Sequence, residues 1–178
     1  MVKDELTVNE NGNLTEIIIL YPKVKSPLLG VSAYLKFKKY NQKLSECIKR
    51  AEKKRSIDIV HLQAIFPACI PALSFLKSKN IPLLITEHWT GYSKEDNGYT
   101  GFIKKYFTKK IIRKAQAILV VSKKQQLAME AHGLFGNYQV VNNVVNTSIF
   151  KPFSENVINT GETLNILHVS SLDERQKN

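Results

Sequence analysis

Ile57-Asp58-Ile59-Val60-His61-Leu62 is a short, nearly continuous run rich in β-branched residues, the pattern of a strand covered on both faces. Downstream of it, Pro67 to Lys79 is a largely apolar helical stretch, Ile81 to Thr86 a second buried strand, Gly101 to Gln116 a basic amphipathic helix, and Ala117 to Val121 a third strand. Strand, helix, strand, helix, strand specifies a parallel α/β sheet flanked by helices, because parallel neighbours need a crossover that a hairpin cannot supply. Ser122 opens the next helix through an S-x-x-Q capping box with Gln125, and Gly133 closes it. Tyr138 to Val141 forms a last short strand, followed by an irregular connector from Asn142 to Phe153.

Upstream, Glu5 to Asn9 and Leu14 to Leu20 flank Glu10-Asn11-Gly12-Asn13. Asn-Gly supplies the positive φ of a tight turn, so an N-terminal β-hairpin is expected. Pro22, Pro27 and Gly30 then interrupt regular structure. From Ala33 to Arg55, apolar residues at Phe37, Tyr40, Leu44, Ile48 and Ala51 make one helical stripe.

A chain of 178 residues with 43% hydrophobic composition can bury one substantial core. Its apolar stretches, such as Ala68 to Leu76, fall far short of the about 20 residues a membrane span needs, and Met1-Val2-Lys3-Asp4-Glu5 leads into no signal-peptide core. A cytoplasmic location is the resulting expectation. Cys47 and Cys69 lack metal-like spacing and fall in apolar segments, so they read as reduced structural thiols. Lys and Arg number 26 against 15 Asp and Glu, a formal charge of +11, which favours anionic partners of any kind.

Ligands of open parallel sheets bind outside the carboxyl ends of the strands. Three polar groups stand there: Gln63 after the first strand, Glu87-His88-Trp89-Thr90-Gly91-Tyr92 after the second, and Ser122 after the third. Trp89 and Tyr92 are candidates for an aromatic wall that stacks on a ligand or for loop packing. Glu87 and His88 can also pair simply to satisfy the strand end. Ser122 is fully explained by its capping role. His61 and His168 sit in strand patterns and are expected to be packed, while His132 suits a helix end at the surface. No Ser/His/Asp arrangement, P-loop or G-x-G-x-x-G occurs.

Ile85-Thr86-Glu87-His88, Val120-Val121-Ser122, the linker-like Val140 to Pro152 and the tail Ile166 to Asn178 together resemble glycosyltransferase family 4. The resemblance implies, over residues 1–150, the acceptor-side, Rossmann-like N-terminal half of a GT-B enzyme without the family's first strand and glycine-rich loop, and over 151–178 a linker and the first strand of a donor-binding domain. It also implies sugar transfer from a nucleotide-sugar donor with retention, no metal cofactor, and a saccharide or lipid-linked acceptor. His88 matches a histidine that the family places in the interdomain cleft, near the transferred sugar. Gln63, Glu87, Trp89, Ser122 and Asn143 would line that cleft. Lys177 matches one residue of the family's diphosphate clamp, and Ser171 stands where the family normally has Arg. The chain is expected to be inactive without the rest of a donor domain.

The 33–55 and 101–116 helices carry most of the basic surplus. With Phe102, Ile103 and Tyr106, the second could lie on an anionic membrane; the plainer expectation is that its apolar stripe faces the sheet and its lysines are solvated. A non-catalytic basic module for anionic lipid or nucleic acid is the alternative reading. For nucleic acid there is no companion motif.

Overall fold

The computed structural model describes residues 5–20 and 31–151. The strand expected around 166–169, with His168, Ser171 and Lys177, lies outside the described residues.

Strands β1 (Glu5–Asn11) and β2 (Leu14–Leu20) form the hairpin, with Leu6 opposite Ile19 and Asn11 opposite Leu14. The turn sits one residue later than expected. Asn11 remains in the strand, and Gly12 carries the positive φ of 58° as the first central residue, the place a Gly-X turn gives it. Helix α1 (Val31–Lys54) packs on the next helix. The Phe37 ring stacks on Phe66 at 5.8 Å, Cys47 is buried, and Glu52 pairs with Lys79.

The sheet holds β3 (Val60–Gln63), β4 (Leu83–Glu87), β5 (Ala117–Val120) and β6 (Tyr138–Val140), all parallel and in chain order. The crossovers are α2 (Cys69–Phe75) with a 3-10 turn at Leu76–Ser78, α3 (Phe102–Ile112), and α4 (Lys123–Ala131). Several elements are shorter than their patterns predict, for local reasons. Pro82 has no N–H to give a ladder, so β4 starts at Leu83, and β3 begins where the Val60 amide reaches the Pro82 carbonyl at 2.9 Å. Likewise α3 ends early because the Gln116 amide must reach the Leu83 carbonyl, 2.9 Å away.

The core lies on one face of the sheet. Leu62, Ile85 and Ile118 form a row across β3, β4 and β5, and with Leu83 and Val120 they meet Cys69 and Leu73 of α2, Ile111 and Ile112 of α3, and Met129 of α4. Each fully buried side chain of this kind contributes about 1.5–3 kcal/mol before entropic costs. Strand alternation sends His61, Gln63, Leu84, Thr86 and Leu119 to the opposite face, and none of them belongs to this cluster. The run at Ile57–Leu62 is therefore not covered evenly, and Ile59 is 52% exposed.

Helix α4 is bounded as its sequence predicts. The Ser122 hydroxyl accepts the Gln125 amide at 3.2 Å, and Gly133, at φ 72°, ends the helix. The Gly133 amide bonds the Glu130 carbonyl and the Leu134 amide the Met129 carbonyl, the paired bonds of a Schellman motif.

Candidate functional site at the ends of β3 and β4

β4 ends on Glu87, a side chain only 1% exposed. A carboxylate buried so deeply needs donors, and four reach it. Oε1 accepts the amides of His88 (3.0 Å) and Trp89 (2.9 Å); Oε2 accepts the Ile65 amide (3.1 Å) and the Tyr92 hydroxyl (3.0 Å). Glu87 thus ties the turn after β3 to the loop after β4. Burial, and then the Glu87 carboxylate, push the Tyr92 phenol upward, which keeps it a donor. The contact of Glu87 with His88 is through the backbone, which leaves the imidazole available.

His88 points to the other side and is exposed. Its Nε2 lies 3.4 Å from Gln63 Oε1, Gln63 Nε2 lies 3.2 Å from His61 Nε2, and His61 Nε2 lies 2.7 Å from Thr86 Oγ1. His61 is therefore not packed, as its strand pattern implied, but exposed beside Gln63. The His61-Leu62-Gln63 alternation held that information, because Leu62 takes the buried side and its neighbours must take the other.

On the core side, Ala64, Phe66, Glu87, Trp89 and Lys104 line a cavity of about 220 Å³. The Ala64 amide continues the ladder to the Thr86 carbonyl at 2.8 Å, and Ala64 itself has a φ of 71°. The half-buried Trp89 ring is fixed tightly. A Cβ on Gly91 would overlap it and one on Gly98 would lie 2.8 Å from it, so both positions require glycine's close approach. Tyr92, 3% exposed, stands edge-on to Trp89 at 5.1 Å and against Tyr99 at 4.9 Å. Tyr92 is thus loop packing, and Trp89 alone of that pair faces the cavity.

Ser122 acts as the cap described above, and its Gln125 partner does more. Gln125 Oε1 accepts the Val121 amide at 3.0 Å while Nε2 donates to the Trp89 carbonyl at 3.2 Å, joining the start of α4 to the β4 loop. His132, expected at the surface, is instead half-buried, with Nε2 3.0 Å from the Tyr92 carbonyl. Asn143 is exposed in the irregular stretch after β6. Gln63 and His88 are thus in contact, Trp89 and Glu87 share a cavity, and Ser122 is linked to Trp89 through Gln125. A larger groove of about 840 Å³ lies elsewhere, between the hairpin and the end of α1. Lys104, Phe66 and Ala64 carried no signal in the sequence, since their meeting depends on three different segments.

The model of Glycosyltransferase Family 4 matches residues 9–149. The chain belongs to glycosyltransferase family 4. The match runs from β1 to the stretch beyond β6 and includes Gln63, Glu87, His88, Trp89, Ser122 and Asn143; Ser171 and Lys177 lie beyond it. The parallel sheet with flanking helices and added hairpin is a Rossmann-like arrangement in this family 4 chain. No curated protein and no solved structure matches it. Among the described residues, no helix is long and apolar enough to cross a membrane.

Proposed function

We propose that this chain supplies the acceptor-side half of a retaining glycosyltransferase that moves a sugar from a nucleotide-sugar to a saccharide or lipid-linked acceptor in cell-surface polysaccharide or glycolipid synthesis. One observation carries the reading: His88 is exposed at the carboxyl end of β4, beside Gln63, on the ligand-binding edge of a family 4 domain. A neutral imidazole there can hydrogen-bond a sugar hydroxyl, and an imidazolium can steady negative charge as the donor departs. Lys177 would add a point charge on the donor diphosphate and Ser171 a hydroxyl, a weaker pair than a guanidinium provides. The chemistry calls for no metal.

The test is transfer from labelled nucleotide-sugars by the chain alone and by a longer polypeptide carrying a donor-binding domain after residue 178. Transfer is expected only from the latter, with the anomeric configuration of the donor retained in the product. Robust turnover by the chain alone would overturn the division into halves, and an inverted product would overturn retention.

A cytoplasmic, peripheral place on an anionic membrane completes the proposal, supported by α3. Phe102 is 83% exposed, Ile103 56% and Tyr106 49%. The front of the stripe thus turns to solvent, beside exposed Lys105, Lys109 and Lys110, whereas Ile111 and Ile112 enter the core. Each basic residue near an anionic bilayer contributes about 1 kcal/mol, and the exposed apolar Phe102 and Ile103 supply area to bury at its interface. Co-sedimentation with phosphatidylglycerol vesicles is expected to exceed that with phosphatidylcholine and to fall about tenfold or more in the Phe102→Ser, Ile103→Ser double variant. Equal binding to both vesicles, or displacement of vesicles by a short oligonucleotide, would count against it.

A further inference from the structure

The cavity between Phe66 and Trp89 holds a cation that no described residue neutralises through an ion pair. Lys104 sits half-buried in the first turn of α3. Its Nζ donates to the Gly98 carbonyl at 3.1 Å and lies 4.5 Å from the centroid of the Trp89 ring and 5.9 Å from that of Phe66. An ammonium has three donors, and among the described residues no carboxylate stands within ion-pairing distance of this one. Glu87 lines the same cavity, but its oxygens are committed to the Ile65, His88 and Trp89 amides and to Tyr92. Burial pulls the Lys104 pKa down, as it does for a cation removed from water without a compensating charge.

The surroundings point to a ligand as the missing partner. At about 220 Å³ the space is smaller than the roughly 300–1,000 Å³ of a drug-sized pocket, so it admits one ring or one substituent. It opens at the carboxyl ends of β3 and β4, where ligands of such sheets bind. Ala64, at its rim, holds a left-handed φ of 71° without being glycine, a conformation that persists only where the surroundings impose it and that clusters at ligand sites.

We propose that this cavity binds an anionic substituent of a saccharide, a carboxylate or a phosphate monoester, with Lys104 as its counter-charge and Phe66 and Trp89 as walls against the apolar face of the sugar. The assignment rests on the glycosyltransferase reading for the saccharide part alone. It adds a selectivity for acidic over neutral acceptors to that reading.

Trp89 is the single tryptophan of the chain, so its emission reports on this cavity directly. The full chain is titrated with glucuronate, glucose 6-phosphate and glucose. Saturable changes are expected with at least one of the two anions, and the arm that responds identifies the anionic group. Glucose is expected to bind at least about tenfold more weakly, and Lys104→Met to lose about tenfold or more in affinity, while Lys104→Arg stays within about threefold of the wild type. Anion affinity is also expected to fall as NaCl rises from about 0.05 to about 0.5 M, a measurement on the wild type that decides the matter if the methionine variant fails to fold. Silence in both anion arms, an equal response to glucose, an unchanged Lys104→Met or salt-independent binding would each overturn the site. Binding is read without donor or turnover. If the chain binds glucuronate but the longer polypeptide with a donor-binding domain transfers nothing, this site stands and the transferase reading falls; if that polypeptide transfers to neutral acceptors and the chain ignores both anions, the reverse holds.

Discussion

Replacing His88 by alanine in a transfer-competent polypeptide containing this chain is expected to lower kcat by about 10²–10⁴-fold, the range of a positioned acid, base or charge-stabilising group. The fold should survive. His88 is exposed, and its side-chain contact with Gln63, at 3.4 Å, is longer than a well-formed hydrogen bond. Its loss leaves no buried polar group without a partner, so stability should change by no more than about 0.5 kcal/mol. Steady-state kinetics beside a urea titration give both readouts. A fall in kcat with KM unchanged marks an interaction made in the transition state, and a rise in KM alone would reduce His88 to ground-state binding. Transfer at more than about a tenth of the wild-type rate would remove His88 from the chemistry.

The preceding residue should behave in the opposite way. Glu87→Ala is expected to cost at least about 3 kcal/mol, because it strands four donors, each buried group left unpaired costing about 1–3 kcal/mol and part of the sum being relieved by water entry. Three of the four are main-chain amides, of Ile65, His88 and Trp89, so no rotamer change in the chain can re-satisfy them. Against a typical total stability of about 5–15 kcal/mol, that loss is large. The urea midpoint measures it, and a red shift of Trp89 emission should accompany it as the loop loosens. Glu87→Gln keeps the shape and one acceptor oxygen and should fall between. An alanine variant within about 0.5 kcal/mol of the wild type would mean that water replaces the carboxylate at no cost, and that the clamp is not what holds the loop.

The contrast between these neighbours was only half legible in the sequence. That His88 stands at a strand end followed from Ile81 to Thr86 being a buried run, and the strand does end there, at Glu87. The donors of Glu87 from His88, Trp89 and Tyr92 are close in sequence, but Ile65 is 22 residues away and reaches it only once β3 and β4 are paired. Periodicity located α3 but misplaced its front. Phe102, Ile103 and Tyr106 fit the apolar stripe, yet it is the later residues Ile111 and Ile112 that are fully buried, while the first turn brings Lys104 to the cavity beside Trp89. Signals carried by adjacent residues were the reliable ones. The turn glycine of the hairpin, the Ser122 and Gln125 box and the closing Gly133 each act within a few positions, and each was found in place or within one residue.

The close approach of Gly91 and Gly98 to the benzene end of the Trp89 indole bears on binding entropy. Immobilising a rotamer-rich side chain on association costs about 0.5–1.5 kcal/mol. The indole here, pressed by two backbones and met edge-on by Tyr92, has already lost that freedom when the chain folds. A sugar arriving beside it meets a wall in its final orientation, and discrimination among sugars is expected to appear in how long each stays rather than in how fast each arrives.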